Sequence, residues 1–362
     1  MAYTTIDDPS AHFQTTIYTG NGSDDLSITN GGNSDLQPDF VWLKNRAKGD
    51  KDHILYDSSR GATKQLHSNN TNAESTVSGL TDFNSDGFTI DDDGGANTSG
   101  DSHVAWQWKA NGGSLTSVSA SGSGATNILA GNYQANTTAG FSIMTFTGDE
   151  TQSTVTHGLG AAPDFIIVRA RTRDDNNWIT WHSSASTGTQ YLNGNNANDT
   201  SNGPYFMGDD SNITQPTSTV FTVGANIQVN HDGASNVAWA WRSIQGYSKF
   251  GSYTGNGNAD GTFIYLGFKP AWLLVKQTDG SDQWQLVDHK RDTDNIVENY
   301  LIPDSSQAET SHANNIKVDF LSNGFKCRAT NSIFNGNDNK YIYMAFAENP
   351  FVTSGGVPCT AR

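Results

Sequence analysis

The sequence has 362 residues, of which 16% are charged, and a formal net charge of −16 at pH 7. A chain of this length can form two or three domains. Few of its residues are charged helix formers, while 37 are Gly, and this composition excludes a helical bundle. The negative charge repels phosphate backbones and therefore disfavours nucleic-acid binding as the main activity.

The chain begins with a polar segment, residues 1–12. This segment has neither the basic start nor the apolar centre of a signal peptide, and no run in the sequence approaches 18 apolar residues. We therefore expect synthesis in a cytoplasm and no membrane insertion. Because the segment has no core of its own, we predict an extended arm that docks on another protein.

Residues 13–110 show the two-residue period of β-strands. In one run, the side chains of Val104, Trp106 and Trp108 fall on one face and the residues between them fall on the other. The segment 40–43 is continuously apolar, which is typical of a strand buried on both faces. Short strands of this kind predict a β-sandwich, with the paired tryptophans in its core.

The segment 84–88 predicts a hairpin turn, since Asp-Gly supplies the positive φ that a primed turn requires. The residues around it also match the opening of a calcium loop. The four candidate ligands are Asp82, Asn84, Asp86 and Asp93. Flanking helices are not expected, and the matching segment at 319–324 keeps the turn but loses ligand residues. We therefore favour a hairpin with a solvated acidic tip, and calcium is the alternative; no other metal or cofactor is predicted.

Residues 111–140 are rich in Gly, Ser, Ala and Thr and predict a flexible or extended linker. Beyond it the pattern of the first unit returns twice, in residues 141–243 and 250–350, followed by a tail at 351–362. The third unit aligns on the second at an offset of 107, which places His289 on His182 and Met344 on Val237. We therefore expect three homologous units of about 100 residues each.

The second unit contains a cluster of arginine and tryptophan. Arg169, Arg171 and Arg173 alternate along one predicted strand, so their guanidinium groups would project from one face. Trp178 and Trp181 follow shortly after. Such a surface suits an anionic sugar or an acidic neighbouring subunit, and we take the five residues as the candidate contact surface. The alternative is an edge strand kept soluble by its charge.

Catalytic motifs do not emerge from the sequence. Asp57 and Asp288 follow matching apolar strands, but the second unit has His182 in that region, so the three units share no acid. Cys327 and Cys359 are too few for a disulfide framework or a four-ligand zinc site. We therefore predict that the protein is not an enzyme.

Four segments of the first unit resemble a repeat found in structural proteins of marine tailed bacteriophages, which are often labelled tail fibres or adhesins. The segments are 37–46, 53–64, 85–89 and 103–109, and residues 1–14 are similar to the start of such proteins. The resemblance covers residues 1–110, and the second and third units depart from it. It implies a virion component exposed on the particle and brings no catalytic residues.

These observations predict an all-β protein of three tandem β-sandwich modules of jelly-roll or lectin-like type. We expect a tail fibre or spike that binds host surface glycan and is anchored to other virion proteins through its arm. We also expect a homo-oligomer, with a trimer favoured. The alternative is a capsid decoration or head fibre attached to the major coat protein, and a glycan-degrading tailspike is the least favoured reading.

Overall fold

The computed structural model describes residues 2–123, 126–200, 213–311 and 316–360. In these residues 25 strands form six antiparallel sheets, and the helices are single turns. The predicted all-β class is therefore confirmed. None of the helices in the described ranges has the length and apolar character needed to cross a membrane.

The first unit contains nine strands. They are β1 (Phe13–Thr19), β2 (Leu26–Ile28), β3 (Phe40–Asn45), β4 (His53–Asp57), β5 (Lys64–His67), β6 (Ser75–Thr76), β7 (Leu80–Asn84), β8 (Gly87–Ile90) and β9 (Ser102–Trp108). A six-stranded sheet has the order β1-β9-β3-β4-β5-β6, and a three-stranded sheet has the order β2-β8-β7.

The second unit also contains nine strands in its described part. They are β10 (Thr116–Val118), β11 (Gly131–Asn136), β12 (Phe141–Thr147), β13 (Ser153–Thr156), β14 (Phe165–Ala170), β15 (Ile179–His182), β16 (Gln190–Tyr191), β17 (Val220–Val223) and β18 (Ser235–Trp241), with the short helix α1 (Ile227–Asn230). The sheets have the orders β10-β11-β12-β18-β14-β15-β16 and β13-β17.

The third unit repeats the arrangement with seven strands in its described part. They are β19 (Ser248–Thr254), β20 (Phe263–Tyr265), β21 (Phe268–Gln277), β22 (Gln285–Asp288), β23 (Val318–Leu321), β24 (Gly324–Cys327) and β25 (Lys340–Pro350), with the short helix α2 (Ser332–Asn335). The sheets have the orders β19-β25-β21-β22 and β20-β24-β23.

Each unit has its own core between its larger and smaller sheets. In the first unit this core includes Val41 and Ala105 from the larger sheet and Phe88 from the smaller one. The second and third units contain corresponding cores. Every residue of β3 is buried, as the continuous apolar run predicts, because the larger sheet is covered on both faces.

The other faces of the three larger sheets meet in one central core. Trp108 of the first unit packs against Trp241 of the second, with 6.2 Å between ring centroids, and against Trp272 of the third at 5.6 Å. Phe40 and Phe346 belong to the same cluster. The tryptophans are therefore core residues, as predicted, but this core is shared between units rather than enclosed within each.

The linker predicted at residues 111–140 is partly a strand. β11 pairs with β12 along its whole length, from Gly131 opposite Phe146 to Asn136 opposite Phe141. Because most of its side chains are small or polar, the composition of this segment does not indicate a strand. The segment predicted as a flexible or extended linker therefore contains two strands, β10 and β11, which are extended but belong to the larger sheet of the second unit.

The N-terminal arm lies on the third unit of its own chain. The hydroxyl of Tyr3 donates to the carbonyl oxygen of Gly267 at 2.8 Å, and that of Thr4 donates to Gln245 at 2.8 Å. The side chain of Ile6 enters the central core. The arm is thus occupied within the chain, and its docking on another protein stays a prediction.

Strand pairing corrects the alignment of the repeats. Phe165 of β14 pairs with His182, and the corresponding Trp272 of β21 pairs with Asp288. His182 therefore matches Asp288, not His289, because the loop before β22 is one residue shorter. By the same pairing Val237 matches Ile342 rather than Met344.

A buried asparagine closes the loop after β1 in the first unit, after β12 in the second and after β19 in the third. These residues are Asn97, Asn230 and Asn335, none of which is exposed. In the first unit, Asn97 accepts the backbone N–H of Asn21 with its side-chain oxygen at 2.8 Å and that of Gly22 with its carbonyl at 2.9 Å. Asn230 and Asn335 make the same pair of bonds to the matching loops. This shared position is a signature of the repeat that the sequence analysis missed.

Candidate functional site

The arginines predicted as a contact surface lie at the boundary between the second and first units. Only Arg169 is in β14; Arg171 and Arg173 follow its end. Arg169 is fully buried and donates through Nη2 to the carbonyl oxygens of Thr71 and Asn72, both at 2.7 Å. Burial lowers the pKa of Arg169 to about 10. The predicted stripe of three guanidinium groups on one open face is therefore wrong.

Glu74 of the first unit binds Arg171 and Arg60 together. Its carboxylate accepts from Arg171 Nε at 2.9 Å and Nη2 at 2.8 Å, and from Arg60 Nη1 at 2.9 Å. Arg60 also donates through Nε to the buried Asp57 at 2.5 Å. Burial of Glu74 opposes its ionisation, but hydrogen bonds from Arg171 and the charge of Arg60 lower its pKa overall. The charge of Arg171 is thus balanced inside the chain and is not available to an anionic sugar.

The boundary between the third and first units carries the same arrangement. Glu309 accepts from Arg46 Nη2 at 2.7 Å and from Arg291 Nη1 at 2.9 Å. Arg291 donates through Nε to the buried Asp288 at 2.6 Å. Asp288 also accepts from Trp106 Nε1 of the first unit at 3.0 Å. Asp57 and Asp288, which match in sequence, are therefore structural ion-pair partners.

The boundary between the second and third units keeps the backbone contact but has no such ion network in its described part. Asn198 N–H donates to Thr278 at 2.8 Å, as Glu74 N–H donates to Arg171 at 2.7 Å. His182 stands where Asp57 stands in the first unit. Its Nδ1 accepts from Ser184 N–H, so its Nε2 donates to the carbonyl of Tyr343 at 3.1 Å. Burial lowers the pKa of His182 to about 4, and the ring is neutral at pH 7.

The two predicted contact tryptophans are also inside the molecule. Trp178 is fully buried, stacks on Trp239 with 5.7 Å between centroids, and donates through Nε1 to Asn70 of the first unit at 3.1 Å. Trp181 is 2% exposed and lies in the core of the second unit. Neither indole presents a face to a sugar. Alternating apolar residues at strand positions are core here, even beside arginine.

The calcium candidates do not converge on a common point. The Asn84 amide donates to Thr89 Oγ1 at 3.0 Å, and Asp86 accepts from Leu36 N–H at 3.1 Å. Asp93 accepts from backbone N–H groups on its own loop, and Asp82 is exposed on β7. Across residues 2–123, 126–200, 213–311 and 316–360, His, Cys, Asp and Glu form no group of three or more suited to a metal ion.

The hairpin reading of this segment is confirmed. β7 and β8 pair with Asn84 opposite Gly87, which leaves a two-residue loop of Ser85 and Asp86. The predicted primed turn is wrong, because neither loop residue has a positive φ and the positive φ falls on Gly87 in β8. Gly87 has a φ of 105°, and a Cβ there would lie 1.9 Å from the carbonyl oxygen of Ile28. Only glycine fits this position.

An open groove of about 570 Å³ lies at the boundary between the second and third units. Its volume falls in the range of about 300–1,000 Å³ found for ligand pockets. The polar side chains that line it are those of Asn177, Tyr191, Asn193, Asn196, Asp199 and Ser281. Ser281 comes from the third unit and the others from the second.

Hydrogen bonds hold the groove side chains in place. Asn193 donates to Asn177 Oδ1 at 2.9 Å and accepts from Trp178 N–H at 2.9 Å. The Tyr191 hydroxyl donates to Asp199 at 3.1 Å, and the Tyr191 carbonyl accepts from Trp284 Nε1 of the third unit at 2.8 Å. The groove is therefore built on both units and is positioned before any ligand arrives.

The first unit has a charged cluster at the matching position. Asn69 accepts from His53 N–H at 2.9 Å, as Asn193 does from Trp178. There Asp52 accepts from Asn69 at 2.6 Å and lies 3.0 Å from His67 Nδ1. Hydrogen bonding from His67 lowers the pKa of Asp52 to about 2. In the second unit Asn177 and Tyr191 take the places of Asp52 and His67, which removes both ionisable partners.

A smaller cleft of about 200 Å³ lies between the arm, the first unit and the third unit. Lys290 lines it together with the carboxylates of Asp8 and Glu348. Asp8 is already bound by the hydroxyls of Ser10 and Ser34, both at 2.6 Å. We regard this cleft as a junction between elements, because its polar groups bind the chain itself.

The groove escaped the sequence analysis. Three of its polar residues, Asn193, Asn196 and Asp199, fall in the loop after β16, where four asparagines lie between Tyr191 and Asp199. That local density is a signal, but the whole chain is rich in Asn and Gly, so it does not stand out. Only the pairing of this loop with the third unit separates it from ordinary turns.

Comparison with protein families found one match. A family model described as Domain of unknown function (DUF7483) matches residues 8–350. The match spans all three units, the segment between the first and second, and the end of the arm. Comparison with curated proteins found no match.

Proposed function

Because the chain belongs to the family described as Domain of unknown function (DUF7483), we propose a function from its own residues: a tail fibre or spike of a tailed bacteriophage that binds host surface glycan. The resemblance of residues 1–110 to phage structural proteins supports the virion location. The proposal includes no catalytic step, and Asp57 and Asp288 accept hydrogen bonds from arginine side chains and backbone N–H groups.

The groove between the second and third units supports glycan binding. Amide side chains both donate and accept hydrogen bonds, as sugar hydroxyls do. Asn177, Asn193 and Asn196 present three such groups, and the ring of Tyr191 adds an apolar surface beside them. The arginine and tryptophan cluster is not part of this proposal. Arg169, Trp178 and Trp181 are buried. Arg171 is ion-paired with Glu74, and Arg173 is half-buried and does not line the groove.

The rigid arrangement of the units suits a receptor-binding head. Each unit packs two antiparallel sheets, and we propose that each is a sandwich of the jelly-roll or lectin-like type. The three units close around a common core, so the groove is held between two of them rather than on a flexible arm. We expect this head to attach to the particle through other virion proteins, with several copies giving avidity.

A capsid decoration is the second candidate. Phe263 and Tyr265 are 44% and 48% exposed on β20, the edge strand of the smaller sheet of the third unit. An exposed aromatic pair on an edge strand suits contact with another protein, such as a coat protein. In that case the same head would coat the capsid.

Immunogold labelling of purified particles tests the proposal, using an antibody raised against the full chain. Label at the tail supports the adhesin, and label over the head supports the decoration instead. If the antibody detects the free protein in the lysate but labels no particle, both virion functions are overturned.

A further inference from the structure

We infer that the groove between the second and third units binds neutral glycans and discriminates against acidic ones. This inference rests on the proposed glycan-binding function and names the class of glycan. It differs from the expectation drawn from the arginine stripe, which favoured an anionic sugar.

The charges around the groove oppose an anionic ligand. Among the described residues that line it, none is Lys, Arg or His, and Asp199 is a carboxylate. Lys276 of the third unit points its ammonium group away from solvent, where it donates to the carbonyls of Gln277 at 2.6 Å and Asn195 at 3.2 Å. The net charge of −16 adds long-range repulsion. An acidic sugar would therefore lose its hydration without gaining a cationic partner.

The same groups match a ligand rich in hydroxyls. The exposed side chains of Asn196 and Ser281 line the groove from different units. Amide and hydroxyl side chains can both donate hydrogen bonds to sugar hydroxyls and accept hydrogen bonds from them. The carboxylate of Asp199 accepts hydrogen bonds from sugar hydroxyls. A neutral sugar thus finds hydrogen-bond partners and brings no second negative charge close to Asp199.

The other units lack this combination at the matching position. The first unit has the Asp52 and His67 pair there. In the third unit Asp304 takes the place of Asn193, since it accepts from Trp284 N–H at 3.1 Å as Asn193 accepts from Trp178. The structure therefore predicts one neutral-glycan site per chain, at the second unit.

Isothermal titration of the full chain tests the inference. The probes are neutral hexasaccharides (laminari-, malto-, xylo-, manno- and galactohexaose) and two acidic ones, from alginate and polygalacturonate. We expect at least one neutral probe to bind with a stoichiometry near one, and about tenfold or more tighter than either acidic probe, which corresponds to about 1.4 kcal/mol.

A blocking variant locates the site. Ser281→Trp places a large ring in the groove without removing a described contact, and we expect it to weaken neutral-probe binding at least about tenfold. Ser85→Trp, at the exposed hairpin of the first unit, is the matched control and should bind like the wild type. Equal melting temperatures of the two variants show that the fold is retained.

Three results overturn the inference: tighter binding of an acidic probe, no binding of any neutral probe, or unchanged binding by Ser281→Trp. Its failure is separable from that of the proposed function. Labelled particles with no neutral-probe binding reject the neutral-glycan site alone. Neutral-probe binding lost in Ser281→Trp, without labelled particles, supports the site and rejects the virion role.

Discussion

The guanidinium carbon of Arg60 in the first unit lies 5.6 Å from the ring centroid of Trp239 in the second. Arg291 of the third unit stands in the same relation to Trp106 of the first, at 5.7 Å. Both arginine side chains are fully buried, and each binds an aspartate and a glutamate. Two of the three unit boundaries are therefore held by the same buried ion network stacked on an indole.

Replacing either arginine should destabilise the whole protein. Arg60→Ala leaves the buried Asp57 without its ion partner, and Arg291→Ala does the same to Asp288. We expect each variant to lower the free energy of unfolding by about 3–5 kcal/mol, measured by urea denaturation. The control is Arg328→Ala, because Arg328 is 38% exposed and pairs with Asp319 at 3.5 Å, and it should cost no more than about 1 kcal/mol. A loss below that level for Arg60→Ala would contradict the role given to the network.

The buried asparagines should be equivalent in the three units. Asn97→Ala, Asn230→Ala and Asn335→Ala each remove an acceptor from a loop N–H, and each unsatisfied buried group costs about 1–3 kcal/mol. We expect three similar losses of unfolding free energy of that size or more. Asn337→Ala is the control, because Asn337 is exposed beside α2. Losses that differ strongly between the units would show that the repeat does not share this contact.

The strands with alternating apolar residues were predictable from sequence because their signal is local. The alternation of Trp106 and Trp108 with Ala105 and Gln107 determines which side chains share a face, and the Asp-Gly of residues 86–87 specifies the hairpin. The alternation does not show which part of the molecule packs against that face. The sequence pattern around Trp108 is the same whether the indole lies in the core of one sandwich or at the junction of three. The two cases differ only in the contacts with Trp241 and Trp272.

The candidate site was predicted less well for a related reason. Arg169 and Arg171 form an exposed stripe only if their face of the sheet is open to solvent, but the first unit covers that face. The alternative of an edge strand is wrong too, because β14 lies between β18 and β15. Glu74, which neutralises Arg171, is 97 residues away in sequence, so local patterns do not pair them. The groove at Asn193 likewise depends on the third unit. The periodicity of apolar residues in the sequence does not show which residues of two units lie at their common boundary.

His182 should make stability depend on pH. Burial lowers its pKa from 6.5 to about 4, so between these values the unfolded state binds more protons and stability falls as pH falls. The difference corresponds to about 3 kcal/mol, present above pH 6.5 and lost by about pH 4. Burial raises the pKa of Asp304 to about 6. Its contribution to the free energy of unfolding therefore increases as the pH falls from about 6 to 3.8, opposite to that of His182.

A His182→Gln variant separates the two contributions. Asp304 titrates in both proteins, so the gap in unfolding free energy between wild type and variant isolates His182. We expect the gap to narrow as the pH falls from about 6.5 to 4, measured by urea denaturation at several pH values. Parallel curves for the two proteins would show that His182 does not titrate with the lowered pKa.

The shared core should make the three units unfold together. Separating any unit exposes the face that carries Trp108, Trp241 or Trp272, each at most 1% exposed, and burial of such side chains stabilises the fold by several kcal/mol. We expect a single calorimetric transition for the full chain, with equal calorimetric and van't Hoff enthalpies. Two or three resolved transitions would instead describe independent modules on linkers.

Substitutions at Trp178 and Ser281 should have different effects: the first should lower the stability of the fold, and the second should weaken glycan binding. Trp178→Ala removes a fully buried indole that stacks on Trp239 and binds Asn70, so we expect a loss of about 3–5 kcal/mol in unfolding free energy. Ser281→Trp alters an exposed position and should leave that free energy within about 0.5 kcal/mol while abolishing binding of neutral hexasaccharides. Urea denaturation and titration of both variants give the two quantities. If Trp178→Ala were as stable as the wild type and failed only in binding, the tryptophan cluster would be the contact surface after all, and the groove would lose its role.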